Sequence, residues 1–129
     1  MWNSWWPKAE ELSNQLPNVY SNTKKAYDHG IAVMLGSDTG TPGVLPGIST
    51  YYEMALMEKS GLDPLEVLQC AIVSPIEFLG LSEKTGSISK NKKANMIFLS
   101  KNPTESIENM KSVWMVTHNG SIISHRYNP

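Results

Sequence analysis

The chain has 129 residues, 11 basic and 12 acidic, with a net charge of −1; 40% of it is hydrophobic and 18% charged. That is one domain's worth of ordinary globular composition, and it excludes a disordered chain and a disulfide scaffold. With no basic face to neutralise phosphates, it also excludes nucleic acid as the main partner. A single cysteine, Cys70, cannot close an internal disulfide, which points to a reducing, cytoplasmic setting and to a small buried side chain. No apolar run approaches the ~20 residues of a membrane span, so no membrane partner is expected. Residues 1–7 lack the basic region and apolar core of a secretory signal. Within them Trp2, Trp5 and Trp6 are expected to pack against another part of a fold.

Taken in chain order, residues 8–15 are rich in helix formers (Ala9, Glu10, Glu11, Leu12), and this helix is expected to stop before Pro17. A second helix is predicted from Asn18 or Ser21 to His29. Val19, Thr23, Ala26 and Tyr27 share one face of it, and Gly30 stands where a left-handed cap belongs. Ile31-Ala32-Val33-Met34-Leu35, bounded by Gly30 and Gly36, reads as a strand buried on both faces. Residues 49–59 read as a helix with Gly61 past its end. Tyr51, Tyr52, Met54, Ala55, Leu56 and Met57 wrap most of its circumference, which predicts burial on more than one side.

Asp63-Pro64-Leu65-Glu66 offers an N-cap, a proline at the first helical position and a capping-box glutamate. Leu65, Val67, Leu68, Ala71 and Ile72 supply the core stripe of the helix that follows. Ser74-Pro75-Ile76-Glu77 repeats the signature and predicts a separate short helix from Pro75 to Leu79, ending near Gly80. From Thr85 the period turns to β, with short runs at residues 96–99 and 113–116. Asn119-Gly120 before Ser121-Ile122-Ile123 is a hairpin signal. The class is therefore α/β. A buried parallel strand needs parallel neighbours, and none lies near residues 31–35, so the first half reads as a piece of a larger sheet.

The chemistry concentrates in Gly36-Ser37-Asp38-Thr39-Gly40-Thr41-Pro42-Gly43, a loop that follows the apolar run at once. A carboxylate at the end of a buried strand is where parallel α/β proteins keep their chemistry, although Asp38 could equally serve only to turn the chain. Asp38-Thr39-Gly40 is also the tripeptide of aspartic proteases, which pair two such carboxylates. The helical stretch over residues 49–79 and the Gly36-Ser37 that precedes the Asp count against that reading. No phosphate-loop pattern is present. His29, His118 and His125 show no metal-ligand spacing, and His29 falls at a helix C-terminus, where an imidazole suits the dipole. Ser37 has no nucleophile elbow around it. Lys90, Lys92 and Lys93 read as a solvated turn.

Four stretches in order, AYDHGIAVMLGSDTGTPGVLPG, GLDPLEVLQCAIVSPIEFLGL, TGSISKNKKANMIFLSKNP and SVWMVTHNGSII, resemble the C-terminal part of metal-dependent amidohydrolases, in the branch of imidazolonepropionases and prolidase-like peptidases. The resemblance implies a (β/α)8 barrel whose last strand is residues 31–35, with residues 1–82 belonging to the barrel. Residues 83–129 would form the C-terminal part of a small composite β domain. It implies a hydrolase acting on C–N bonds of a cyclic amide, imide or dipeptide-like small molecule. It assigns Asp38 as metal ligand and proton shuttle, and Thr39, Gly40, Thr41, Pro42 and Gly43 to the loop over the substrate. The cofactor would be a divalent metal, zinc, in the complete enzyme. The family's His-x-His and its other ligands have no counterpart here, so this chain alone is expected to bind no catalytic metal. It would need the missing N-terminal barrel portion. Asn91 and Asn95 stand where the family has Gly and Asp, which puts a turn of the β segment in doubt. The alternative is an inactive remnant or a self-associating interaction module.

Overall fold

The computed structural model describes residues 9–125 apart from Gly43, and side chains from residue 13 onward. Trp2, Trp5 and Trp6, with the packing expected of them, lie outside the described residues.

Helix α1 runs unbroken over Ala9–Asp28 with Pro17 inside it, so the two helices expected on either side of that proline are one. Proline removes a single amide donor but holds φ near the helical value, and helix formers on both sides supply the remaining bonds. The C-terminus closes as the sequence predicts. Gly30 takes φ 74, its N–H donates to the Tyr27 carbonyl (2.9 Å), and Ile31 N–H donates back to Ala26 O (3.0 Å). This crossed pair satisfies carbonyls that a helix end leaves open.

Residues 31–35 form no strand ladder among the described residues, and they are not buried on both faces. Val33 and Leu35 pack against the core, whereas Ile31 is 62% and Met34 39% exposed. Strand geometry persists only when a neighbour takes up the backbone groups. Beyond the cap bond of Ile31, the tie among the described residues is Leu35 N–H to the Cys70 carbonyl at 3.0 Å. Helix α2 (Ile48–Lys59) forms where predicted, but it buries one side rather than several. Met54 and Met57 point into the core, while Tyr52, Ala55 and Leu56 are exposed, because the described residues supply a packing layer on one side only.

The capping box at Asp63 is complete. Its carboxylate accepts from Glu66 N–H (2.9 Å), and the Glu66 carboxylate accepts from Asp63 N–H (2.8 Å). Helix α3 (Pro64–Leu68) then passes without interruption through a π-helical turn (Gln69–Val73) into α4 (Ser74–Phe78). The separate helix expected at Ser74 is therefore not separate. Ser74 does not cap; its N–H donates to Gln69 O, one residue further back than in an α-helix. A proline inside a helix leaves carbonyls without donors, and widening the turn before it is one way a helix accommodates the ring.

The β segment is an antiparallel sheet in the order β1 (Met96–Leu99), β2 (Val113–His118), β3 (Ser121–His125). Asn119 (φ 48) and Gly120 (φ 81) both take the left-handed conformation that a tight hairpin turn requires. Asn91 sits at φ 71, a conformation Asn tolerates better than other residues with a side chain, so the doubted turn is kept. Asn95 Oδ1 accepts from Asn119 N–H at 2.8 Å and ties the loop to the hairpin. Phe98 and Trp114 meet edge-to-face, with centroids 5.8 Å apart.

One cluster forms the core: Met54, Met57, Leu62, Val67, Cys70, Ile107 and Met110. The last two come from a 3-10 turn (Ile107–Lys111) whose first amide donates to Glu58 Oε1 (3.3 Å). Outside it, large apolar side chains stay in solvent, with Phe78 74% and Ile88 91% exposed.

Candidate functional site

Asp38 follows the tethered segment by three residues. It holds φ 49, a left-handed conformation that Asp tolerates because its short polar side chain crowds the backbone little. The turn is stabilised from the backbone side. Thr41 N–H (3.4 Å) and Thr41 Oγ1 (3.2 Å) both donate to the Asp38 carbonyl, and Ser37 Oγ and Thr39 Oγ1 are hydrogen-bonded at 2.8 Å. Thr39 and Thr41 form an isolated bridge around Gly40, whose φ of 117 demands glycine. Each of the three hydroxyls thus has a partner within the turn. The Asp38 carboxylate is left exposed, with no hydrogen-bond partner among the described residues.

The structure brings Asp38, Thr39, Gly40 and Thr41 into one turn, with Pro42 exposed beside them; Gly43 lies outside the described residues. It brings no histidine to them. His29 Nδ1 is 2.8 Å from the Lys25 carbonyl at the end of α1, as its place at a helix terminus suggests, and His118 Nε2 is 3.1 Å from Asn119 Nδ2 in the hairpin. His125 lies exposed at the end of β3. A hollow of about 600 Å³ opens between the π-turn helix and the β segment, walled by Leu68, Ile72, Ile76, Ile88 and Ile97. None of the loop residues lines it, so it is a separate feature from the carboxylate.

Behind the loop, the tethering helix buries Val67 and Cys70 completely. Cys70 is fully buried, and burial pushes its thiol above the ordinary value, with the Glu66 carboxylate adding to the effect. Burial likewise raises the Tyr27 phenol, whose hydroxyl donates to Gln69 Oε1 (3.1 Å). Residue-level reading missed the tie between this helix and the loop, because it took Pro75 for a helix start. The readable signal was a proline flanked on both sides by helix-forming apolar pattern.

A model of the amidohydrolase family matches residues 9–123, the same stretch that carries this loop and its tethering helix. The chain belongs to the amidohydrolase family. It is 30% identical over 115 residues to ochratoxinase of Aspergillus niger, covering 88% of this chain and 22% of that protein. It also resembles the crystal structure of a Xaa-Pro dipeptidase with methionine bound in the active site, at TM-score 0.73 and 27% identity, over 84% of this chain and 26% of that one. A third likeness is to an amidohydrolase from Thermotoga maritima MSB8, at TM-score 0.66 and 25% identity, over 83% and 26%. This amidohydrolase chain thus spans about a quarter of the length of the relatives it matches.

Members of the family are generally metal-dependent. Among the described residues, no three His, Cys, Asp or Glu side chains converge into a set that could hold a metal ion. Asp38 offers one carboxylate, and a catalytic site needs about three protein ligands. The described residues therefore do not by themselves fit a metal.

Proposed function

We propose that this chain is the portion of a C–N hydrolase that supplies its proton-transfer carboxylate, Asp38. The observation that carries this reading is the exposed carboxylate, with no hydrogen-bond partner among the described residues, on a turn whose three hydroxyls are all hydrogen-bonded, within a chain of the amidohydrolase family. A carboxylate freed of structural bonds can take the proton of a water that attacks an amide or imide carbonyl. The same group then returns the proton to the leaving nitrogen as the C–N bond breaks, so the side chain ends as it began. The names of the relatives, a Xaa-Pro dipeptidase and ochratoxinase, favour an amide-bonded small molecule as substrate. Residues 31–35 would be the last strand of the barrel in this reading. The apolar run and the exposure of Ile31 and Met34 support it, since exposed apolar side chains leave room for neighbours. Zinc or another divalent ion would need its remaining ligands from outside the described residues, as would the walls of the substrate pocket.

The test is Asp38→Asn in an intact relative carrying the same Ser-Asp-Thr-Gly loop. The variant should lose about 10²–10⁴-fold in kcat with little change in KM, because the interaction removed belongs to the transition state. A raised KM with unchanged kcat would assign Asp38 to substrate positioning instead.

A self-associating module is the second reading. It is favoured by the exposed Tyr52, Leu56, Phe78, Ile88 and Ile97, and by β1 and β3 each having, among the described residues, a strand on one side only. Sedimentation of the 129-residue chain should then show oligomers. A compact monomer that unfolds cooperatively would rule this out.

A further inference from the structure

We infer that Pro75 is a positioning residue for the Asp38 loop, acting through a carbonyl that its missing N–H leaves free. In an α-helix the Cys70 carbonyl would accept from Ser74 N–H, but that amide donates to Gln69 O in the π-turn. Continuing the π register, Cys70 O would accept from residue 75, which is proline and has no donor. A carbonyl in the buried part of a helix must still find a partner. It finds Leu35 N–H at 3.0 Å, the bond that ties the segment carrying Asp38 to the helix. Cys70 itself is fully buried, and Val33 and Leu35 pack on the same core, so the bond is shielded and sits three residues before the carboxylate. The capping box at Asp63 and the reversed turn at Gly80 (φ 66) bracket the helical run.

The proposal makes the proline specific. Pro75→Ala restores an amide at 75, lets the helix return to the α register and gives Ser74 N–H back to Cys70 O. The Leu35 amide then loses its acceptor. Moving the proline one residue toward the N-terminus, in Ser74→Pro/Pro75→Ala, takes away the α-register donor to Cys70 O, while in that register the amide restored at position 75 donates to Ala71 O, so the Cys70 carbonyl should be free again. The functional half of the inference rests on the role proposed for Asp38; the hydrogen-bonding half does not.

The experiment is residue-resolved amide hydrogen exchange on the full 129-residue chain. Leu35 should be protected in the native sequence and exchange about tenfold faster or more in Pro75→Ala, while Val67 keeps its native rate. The double variant should return Leu35 to native protection, a rescue that general destabilisation would not produce. An unprotected Leu35 in the native chain, or an unchanged rate in a folded Pro75→Ala, overturns the inference. If Pro75→Ala does not fold, the double variant decides alone: native protection at Leu35 upholds the inference, and loss of protection or of the fold overturns it. Exchange at Leu35 bears on Pro75, whereas the kinetics of Asp38→Asn bear on the carboxylate, so failure of one reading is told apart from failure of the other.

Discussion

Replacing Asp63 by alanine should destabilise the chain measurably, because this side chain starts the helix that holds both the core and the tether. The Asp63 carboxylate accepts from Glu66 N–H at 2.9 Å, and the reciprocal bond at 2.8 Å uses the Asp63 backbone amide. Alanine removes the first bond and leaves the second formally available. Losing an N-cap side chain costs about 1 kcal/mol, and losing a negative charge at a helix N-terminus about 0.3–1 kcal/mol more. The sum, about 1.5 kcal/mol, divided by a urea m-value of about 1–3 kcal/mol/M, lowers the midpoint by roughly 0.5–1.5 M. Asp63→Asn keeps an acceptor and drops the charge, so its midpoint should fall between those of the native chain and Asp63→Ala. The loss should be felt at Val67 and Cys70, the fully buried residues that follow the cap. An unchanged midpoint in Asp63→Ala would refute the argument. An Asp63→Asn variant as unstable as Asp63→Ala would show that charge, not the cap bond, supplies the stabilisation.

Other predictions are independent of this one. Gly86 has φ 90, and a Cβ there would stand 2.7 Å from Ile76 Cδ1 and 3.0 Å from Ile76 Cγ2; Gly86→Ala should cost about 1–3 kcal/mol, with part recovered in Gly86→Ala/Ile76→Ala, and additive losses in denaturation curves would contradict the clash. Burial raises Cys70 above its ordinary 9.0, so the unfolded chain ionises first: stability is unaffected below about that pH and falls as pH rises from there through the folded value, and Cys70→Ala should flatten this alkaline slope in urea midpoints. Tyr27, raised from 10.0 by burial, adds a second loss beginning higher still. The chain alone should show no zinc-dependent hydrolysis of imides, lactams or dipeptides; stoichiometric zinc by elemental analysis with turnover abolished in Asp38→Asn would refute that.

Local signals were legible in the residues themselves. The reversed helix end at Gly30, the capping box at Asp63, the Asn119-Gly120 hairpin and the buried Cys70 each depend on interactions within a few positions, or on apolar period alone. The loop carrying Asp38 was legible for the same reason, since glycines and hydroxyls around one acid mark a turn that exposes it. What the sequence could not decide was everything that depends on a distant partner. Residues 31–35 have the composition of a strand, but a strand exists only where another backbone accepts and donates, and among the described residues the segment finds helix carbonyls instead, Ala26 O at its start and Cys70 O at its end. The apolar girdle of α2 predicted burial on more than one side, yet burial is a property of neighbours, and among the described residues Tyr52 and Leu56 stay exposed. Ser74-Pro75 carried the letters of a helix start, and only the surrounding helical run showed it to be an interior proline. Tertiary structure alone decided that the carbonyl left free there would hold the loop of Asp38, because hydrogen-bond completion in a buried helix is settled by what packs against it.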